Sequence, residues 1–160
     1  MSPPSSSAAP AAAVPTLHPL LQRLVDELSC PLLGVEDFDA WAATPGHALV
    51  FFSEDPVQFR ETLDLAVIVP ELARAFPQRF RVGVLPQQAA RRLAPRYGFR
   101  RWPALVLLCD GHYVGAIDGV RDWNEYTDTL ARLLVAPATR PPTIGIAVQA
   151  AGETDGPACH

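Results

Sequence analysis

The chain is predicted to fold as a single α/β domain, a central mixed β-sheet flanked by helices. Three observations carry this reading. Helix-type and strand-type periodicities alternate along residues 17–136. Ala48-Leu49-Val50-Phe51-Phe52 is a short unbroken apolar run, as a strand buried on both faces requires. Asp110-Gly111 separates two further apolar runs and is a strong hairpin signal.

Taken in order, Leu17, Leu20, Leu21, Leu24, Val25 and Leu28 recur at helical spacing and predict a first helix. Glu36 to Ala43 reads as a short helix anchored by Phe38 and Trp41. Beyond the 48–52 strand, Val57 to Phe76 is a long helical stretch carrying Leu63, Val67, Ile68 and Leu72. Phe80 to Leu85 predicts a strand and Gln87 to Arg96 a helix. Ala104 to Cys109 and His112 to Ile117 form the two arms of the hairpin. Asp122 is placed to cap a last helix whose apolar face holds Trp123, Tyr126, Leu130, Leu133 and Leu134. A βαβ unit followed by a ββα unit gives a mixed sheet with helices on both sides. Residues 1–16, mostly Ala, Pro and Ser, have little to bury and are expected to be a disordered tail. The folded domain is expected over 17–136 and a flexible C-terminal tail over 137–160, within which Thr143 to Val148 has the composition of a short edge strand.

Composition narrows the function. With 49% apolar and 19% charged residues, the chain has the make-up of an ordinary globular protein. A net charge of −4 argues against nucleic acid as a partner, because phosphate binding wants a basic surface. No apolar run reaches the roughly 18–20 residues that span a bilayer. The N-terminal residues lack a basic n-region and an apolar h-region, so the expected compartment is the cytoplasm. Cys30, Cys109 and Cys159 stand far apart, and Cys109 reads as a small buried apolar residue. His18, His47, His112 and His160 fall in separate elements, with neither metal spacing nor a phosphate loop or nucleophile elbow nearby. No catalytic residue, metal or cofactor is expected.

The element order resembles the thioredoxin fold, and particular residues sharpen the likeness. Pro70 interrupts the long helix in Val67-Ile68-Val69-Pro70-Glu71-Leu72, where thioredoxins carry a proline. Tyr97-Gly98-Phe99-Arg100-Arg101-Trp102-Pro103-Ala104-Leu105 is similar to the segment leading to the thioredoxin cis-proline, which would be Pro103. Asp110-Gly111 and Gly119 complete the pattern over residues 48–134. Counting back from Pro70, the two redox-cysteine positions hold Thr62 and Leu65, and Phe51 replaces the buried acid of the central strand. Neither Thr62 nor Leu65 can form a thiolate, so disulfide exchange of the thioredoxin type is excluded.

A narrower resemblance lies in Phe51-Phe52-Ser53-Glu54-Asp55-Pro56, Asp64 to Leu72 and Tyr97 to Leu105. These segments are similar to the HyaE/HupG/HoxO family of [NiFe] hydrogenase accessory proteins, thioredoxin-like in fold and lacking the cysteine pair. The resemblance implies a non-catalytic chaperone for the small subunit of an uptake hydrogenase, whose precursor carries a twin-arginine (Tat) export signal. A second accessory protein is a further implied partner. Two alternatives stay open, a degenerate oxidoreductase or transferase using a thiol cofactor and a generic interaction module.

Charge order points to where a partner would sit. Seven acids against one base, Arg60, lie between Glu36 and Asp64, whereas Ala73 to Cys109 holds eight arginines and no acid. In a thioredoxin layout Glu54, Asp55, Glu61 and Asp64 fall beside Trp102 and Pro103. Carboxylates next to an exposed aromatic are expected to seat an arginine-bearing peptide such as the export signal. The competing readings are a solvated acidic face, and a Trp102 that only packs the core.

Overall fold

A computed structural model describes residues 17–142 of the chain. The elements run α1 (Pro19–Leu28), α2 (Val35–Ala42), β1 (His47–Phe52), α3 (Glu61–Ala75), β2 (Arg81–Leu85), α4 (Gln87–Leu93), a 3-10 turn (Ala94–Arg96), β3 (Ala104–Cys109), β4 (His112–Asp118) and α5 (Trp123–Leu134). The four strands stand in the order β2-β1-β3-β4, with β1 parallel to β2 and the other neighbours antiparallel. This is the mixed sheet flanked by helices that the periodicities predict.

Strand alternation divides the core into two layers. Leu49, Phe51, Val82, Val84, Leu105 and Leu107 face α1, α3 and α5. Ala48, Val50, Phe52, Leu85, Ala104, Val106 and Leu108 face α2 and α4. Both faces are covered, which is why β1 and β3 read as continuous apolar runs and not as alternating ones. Phe51, in the place of the buried acid, is wholly inside.

Local chemistry sets the element boundaries. α1 starts at Pro19, whose missing N–H costs nothing in a first turn, and His18 Nδ1 accepts the Leu20 N–H at 3.1 Å. The α-helical part of α4 ends before Pro95, and a 3-10 turn follows. The β3–β4 turn puts Asp110 at φ 53° and Gly111 at φ 86°, the left-handed pair of a tight hairpin. Pro70 is buried in α3, which continues through it to Ala75.

Several expectations need correction. α3 begins at Glu61 and not near Val57, because Asp55 closes a turn first: its Oδ1 accepts the Val57 N–H and its carbonyl the Phe59 N–H. The buried face of α3 is Thr62, Leu65, Ala66, Val69, Pro70 and Leu72, while Val67 is exposed and Leu63 and Ile68 are only half-buried. Asp122 occupies the N-cap position of α5 with extended backbone, yet its side chain makes no capping bond to the described residues. Trp123 lies outside the core, which starts at Tyr126. Cys109 is buried in β3, as expected. Cys30 is a free thiol that burial pushes up to about 11.

The chain beyond α5 stays on the domain past residue 136. Ala138 is buried, the Thr139 N–H donates to the Tyr113 carbonyl at 2.8 Å, and Pro142 lies against Gly98. Gly98 sits at φ +67°, and a Cβ there would stand 2.0 Å from the Pro142 carbonyl oxygen, so only glycine fits. The edge strand expected over Thr143 to Val148 lies outside the described residues.

Candidate partner-binding site

Register fixes which loops meet. Phe52 pairs with Leu85 and Ala104, and Ala104 pairs with Asp118, so these four residues share one end of the sheet. The 53–60 loop, the start of α4, the 97–103 segment and the 119–122 loop all leave from that end. Here the Trp102–Pro103 peptide is cis, and the buried Pro103 accepts the Gly119 N–H on its carbonyl at 2.8 Å. Asp118 ties the same loops: its Oδ2 accepts the Arg100 and Arg101 N–H groups at 2.8 and 3.1 Å, and its Oδ1 accepts from Arg121 at 3.1 Å. Burial alone would raise the Asp118 pKa, but these donors outweigh it and hold the carboxyl below its usual range.

Trp102 is partly packed and partly exposed. One edge packs on Phe99, ring centres 5.1 Å apart and nearly perpendicular, and Phe99 packs on Phe52 at the same spacing. The rest of the side chain stays half-exposed. Val120 is 41% exposed and Trp123 43%, directly after the Asp118–Gly119 junction, and Val57 at the tip of the 53–60 loop is 85% exposed. Sequence reasoning missed these three. Trp123 stands three residues before Tyr126 and reads as the top of the α5 stripe, but the helix starts where the sheet ends. The signal was Val120 itself, an apolar residue in a loop at the Pro103 end.

The four acids do not form one open cluster. Glu54 is only 4% exposed; its Oε2 accepts from Arg91 Nε at 2.8 Å and its Oε1 from the Asp55 N–H at 2.8 Å. The Glu54 contact raises the Arg91 pKa still further. Asp55 is half-buried in its own turn, while Glu61 and Asp64 are exposed in the first turn of α3, where the helix dipole favours them. Thr62 and Leu65 are fully buried, and Thr62 Oγ1 accepts the Glu54 N–H at 3.2 Å. The two cysteine positions are therefore filled and sealed as well as chemically silent.

Part of the sequence's charge asymmetry is spent internally. Glu54 pairs with Arg91 and Asp39 with Arg96 at 2.6 Å, each joining the acidic stretch to the arginine-rich one. Among the described residues no three His, Cys, Asp or Glu side chains are grouped to hold a metal. None of the described helices is long and apolar enough to cross a membrane.

Comparison with known proteins agrees with this architecture. Residues 20–126 match the family described as Hydrogenase-1 expression protein HyaE. The hydrogenase expression/formation protein HoxO of Cupriavidus necator is 40% identical over 154 residues, covering 95% of this chain and 94% of that one. HupG of Rhodobacter capsulatus, described in the same words, is 31% identical over 120 residues, 74% of this chain and 87% of its own. Among solved structures, a mutant thioredoxin of Halobacterium salinarum NRC-1 superposes with a TM-score of 0.50 at 25% identity, covering 66% of this chain and 89% of that one. On these matches and this fold, the chain belongs to the HyaE family of hydrogenase expression/formation proteins, acts in hydrogenase maturation, and is built on a thioredoxin-like scaffold.

Proposed function

We propose that this protein is a cytoplasmic chaperone that binds the precursor of the small subunit of an uptake [NiFe] hydrogenase, through its Tat signal peptide, before export. It carries out no catalytic step of its own. The observation that supports this most directly is the Pro103 end of the sheet. There Trp102 is half-exposed and Val120, Trp123 and Val57 are exposed, on segments that leave this end of the sheet; Glu61 and Asp64 are exposed in the first turn of α3, and the positions counted back as the redox cysteines are buried. Apolar side chains exposed at the same end of the sheet support a protein-binding surface there. An export signal offers the complementary chemistry, an arginine pair and then an apolar stretch. Glu61 and Asp64 are the acids left open for the arginines, and the apolar lip is the seat for the apolar stretch.

The test is co-purification of the full-length protein with the small-subunit precursor, with and without its signal peptide. Capture of the intact precursor and loss of capture on signal deletion are expected. Equal capture of both forms would move the contact to the mature subunit, and no capture of either would remove the reading.

A further inference from the structure

We infer that Glu54 is a positioning residue: with Arg91 it latches the root of the 53–60 loop onto α4 and α3, shaping the partner end without meeting the partner. The inference rests on the reading of that end given above. Charge order puts Glu54 among the partner contacts, but a side chain only 4% exposed has no free oxygen to offer. Both carboxylate oxygens are engaged inside the protein, one by Arg91 Nε and one by the Asp55 N–H. Its own N–H is held by the hydroxyl of fully buried Thr62 in the first turn of α3. The residue before it is pinned too: Ser53 gives both its N–H and its hydroxyl to the Leu85 carbonyl, at 3.2 and 2.7 Å. Thus the loop root is fastened to β2, α3 and α4 within two residues.

The tip behaves differently. Past Asp55 the loop is held by its own turn, and it lifts Val57 into solvent. A rigid root with an exposed tip presents a contact at low ordering cost. The asymmetry of the pair matters. Arg91 is half-exposed and replaceable without disturbing the core, while removing it strands a buried carboxylate. Opening of the loop relieves that carboxylate, so the partner end changes shape although Val57, Trp102, Val120 and Trp123 are unaltered.

The experiment uses the full-length protein and the purified small-subunit precursor with E54Q, R91Q, R91K and the E54Q/R91Q double variant. Affinity is measured by calorimetry from about 50 to 500 mM salt, and amide exchange is followed at Glu54, Asp55, Val57 and Phe59. E54Q and R91Q are each expected to weaken binding about tenfold, the double variant no more than either alone, and R91K to recover most of the loss. The slope of affinity against salt stays that of the wild type, because no ion pair to the partner has been lost. Exchange at the four amides quickens in E54Q and R91Q without any partner present. A flattened salt slope in E54Q with R91Q unaffected would make Glu54 a direct contact and overturn the latch. So would unchanged exchange in both variants. A wild-type protein that ignores the precursor would overturn the functional reading alone, and the exchange measurement then decides the latch.

Discussion

The two ends of the sheet are built in opposite ways. At the hairpin end, polar groups turn inward on one another: the Asp110 N–H meets the Gly46 carbonyl, and Asp110 Oδ1 takes the Gly46 N–H at 2.7 Å. Arg81 reaches across and donates to the carbonyls of Trp41, Ala42, Thr44, Pro45 and His47, with its guanidinium 4.7 Å from the Trp41 ring centre. At the Pro103 end the backbone is equally well tied, through Asp118 and Gly119, but Val57, Val120 and Trp123 are left facing water. One end closes the fold, and the other is held in shape and left open. Stability and binding should therefore separate on mutation.

The largest effect is expected at the closed end. Arg81→Met keeps the stem over Trp41 but removes the donors that satisfy the C-terminal carbonyls of α2 and the turn after it. Hydrogen bonds from a charged donor contribute more than neutral ones, and several here are long or partly wet. The loss should be about 3 kcal/mol, read as a lower urea midpoint with unchanged slope. Arg81 Nε finds no acceptor among the described residues, so methionine also removes one buried unpaired donor and tempers the loss. Affinity for the precursor should hold in the folded fraction. A variant that keeps its stability would show that the carbonyls are satisfied by water and that this end is not closed.

The open end should give the mirror image. Trp123→Ala is expected to weaken precursor binding about tenfold, in the manner of an aromatic anchor, and to change stability by less than about 0.5 kcal/mol. Trp102→Ala should lose both, because its edge packs on Phe99. Wild-type affinity in Trp123→Ala would take the exposed lip out of the binding surface.

The sequence makes some of these features legible and hides others, according to the kind of signal each one sends. Strands β1 and β3 are buried on both faces, and continuous apolar runs announce that. Pro70, Pro103 and Asp110-Gly111 constrain backbone wherever they stand, so the scaffold and its family can be read from them. The buried face of α3 cannot. Leu63, Val67 and Ile68 look as eligible as Leu65, Ala66 and Val69, and only the position of the sheet decides between the two stripes. The site is partly legible for the same reason. Trp102 and Pro103 are found through backbone punctuation, but the burial of Glu54 depends on Arg91, thirty-seven residues later on another helix. Charge order along the chain does not report which opposite charge will fold against it.

The smallest expected effect separates the ends by pH. His47, at the closed end, has its pKa lowered from 6.5, first by burial and then by the charge of Arg79, with Asp110 opposing. Since the fold favours the neutral ring, the stability His47 contributes is complete above about 6.5 and is lost as pH falls through the lower folded value. Asp118, at the open end, is also lowered, from 3.8, so its contribution is complete above that value and is lost only as pH falls further. Urea unfolding from pH 7 down to about pH 2 should therefore show two descending steps. His47→Gln should abolish the upper step and leave the lower one. Asp118→Asn should shrink the lower step without abolishing it, because Asp39, lowered by its hydrogen bond from Arg96, titrates in the same window. An upper step that survives in His47→Gln would assign it elsewhere, and the two ends would then no longer differ in the charge they bury.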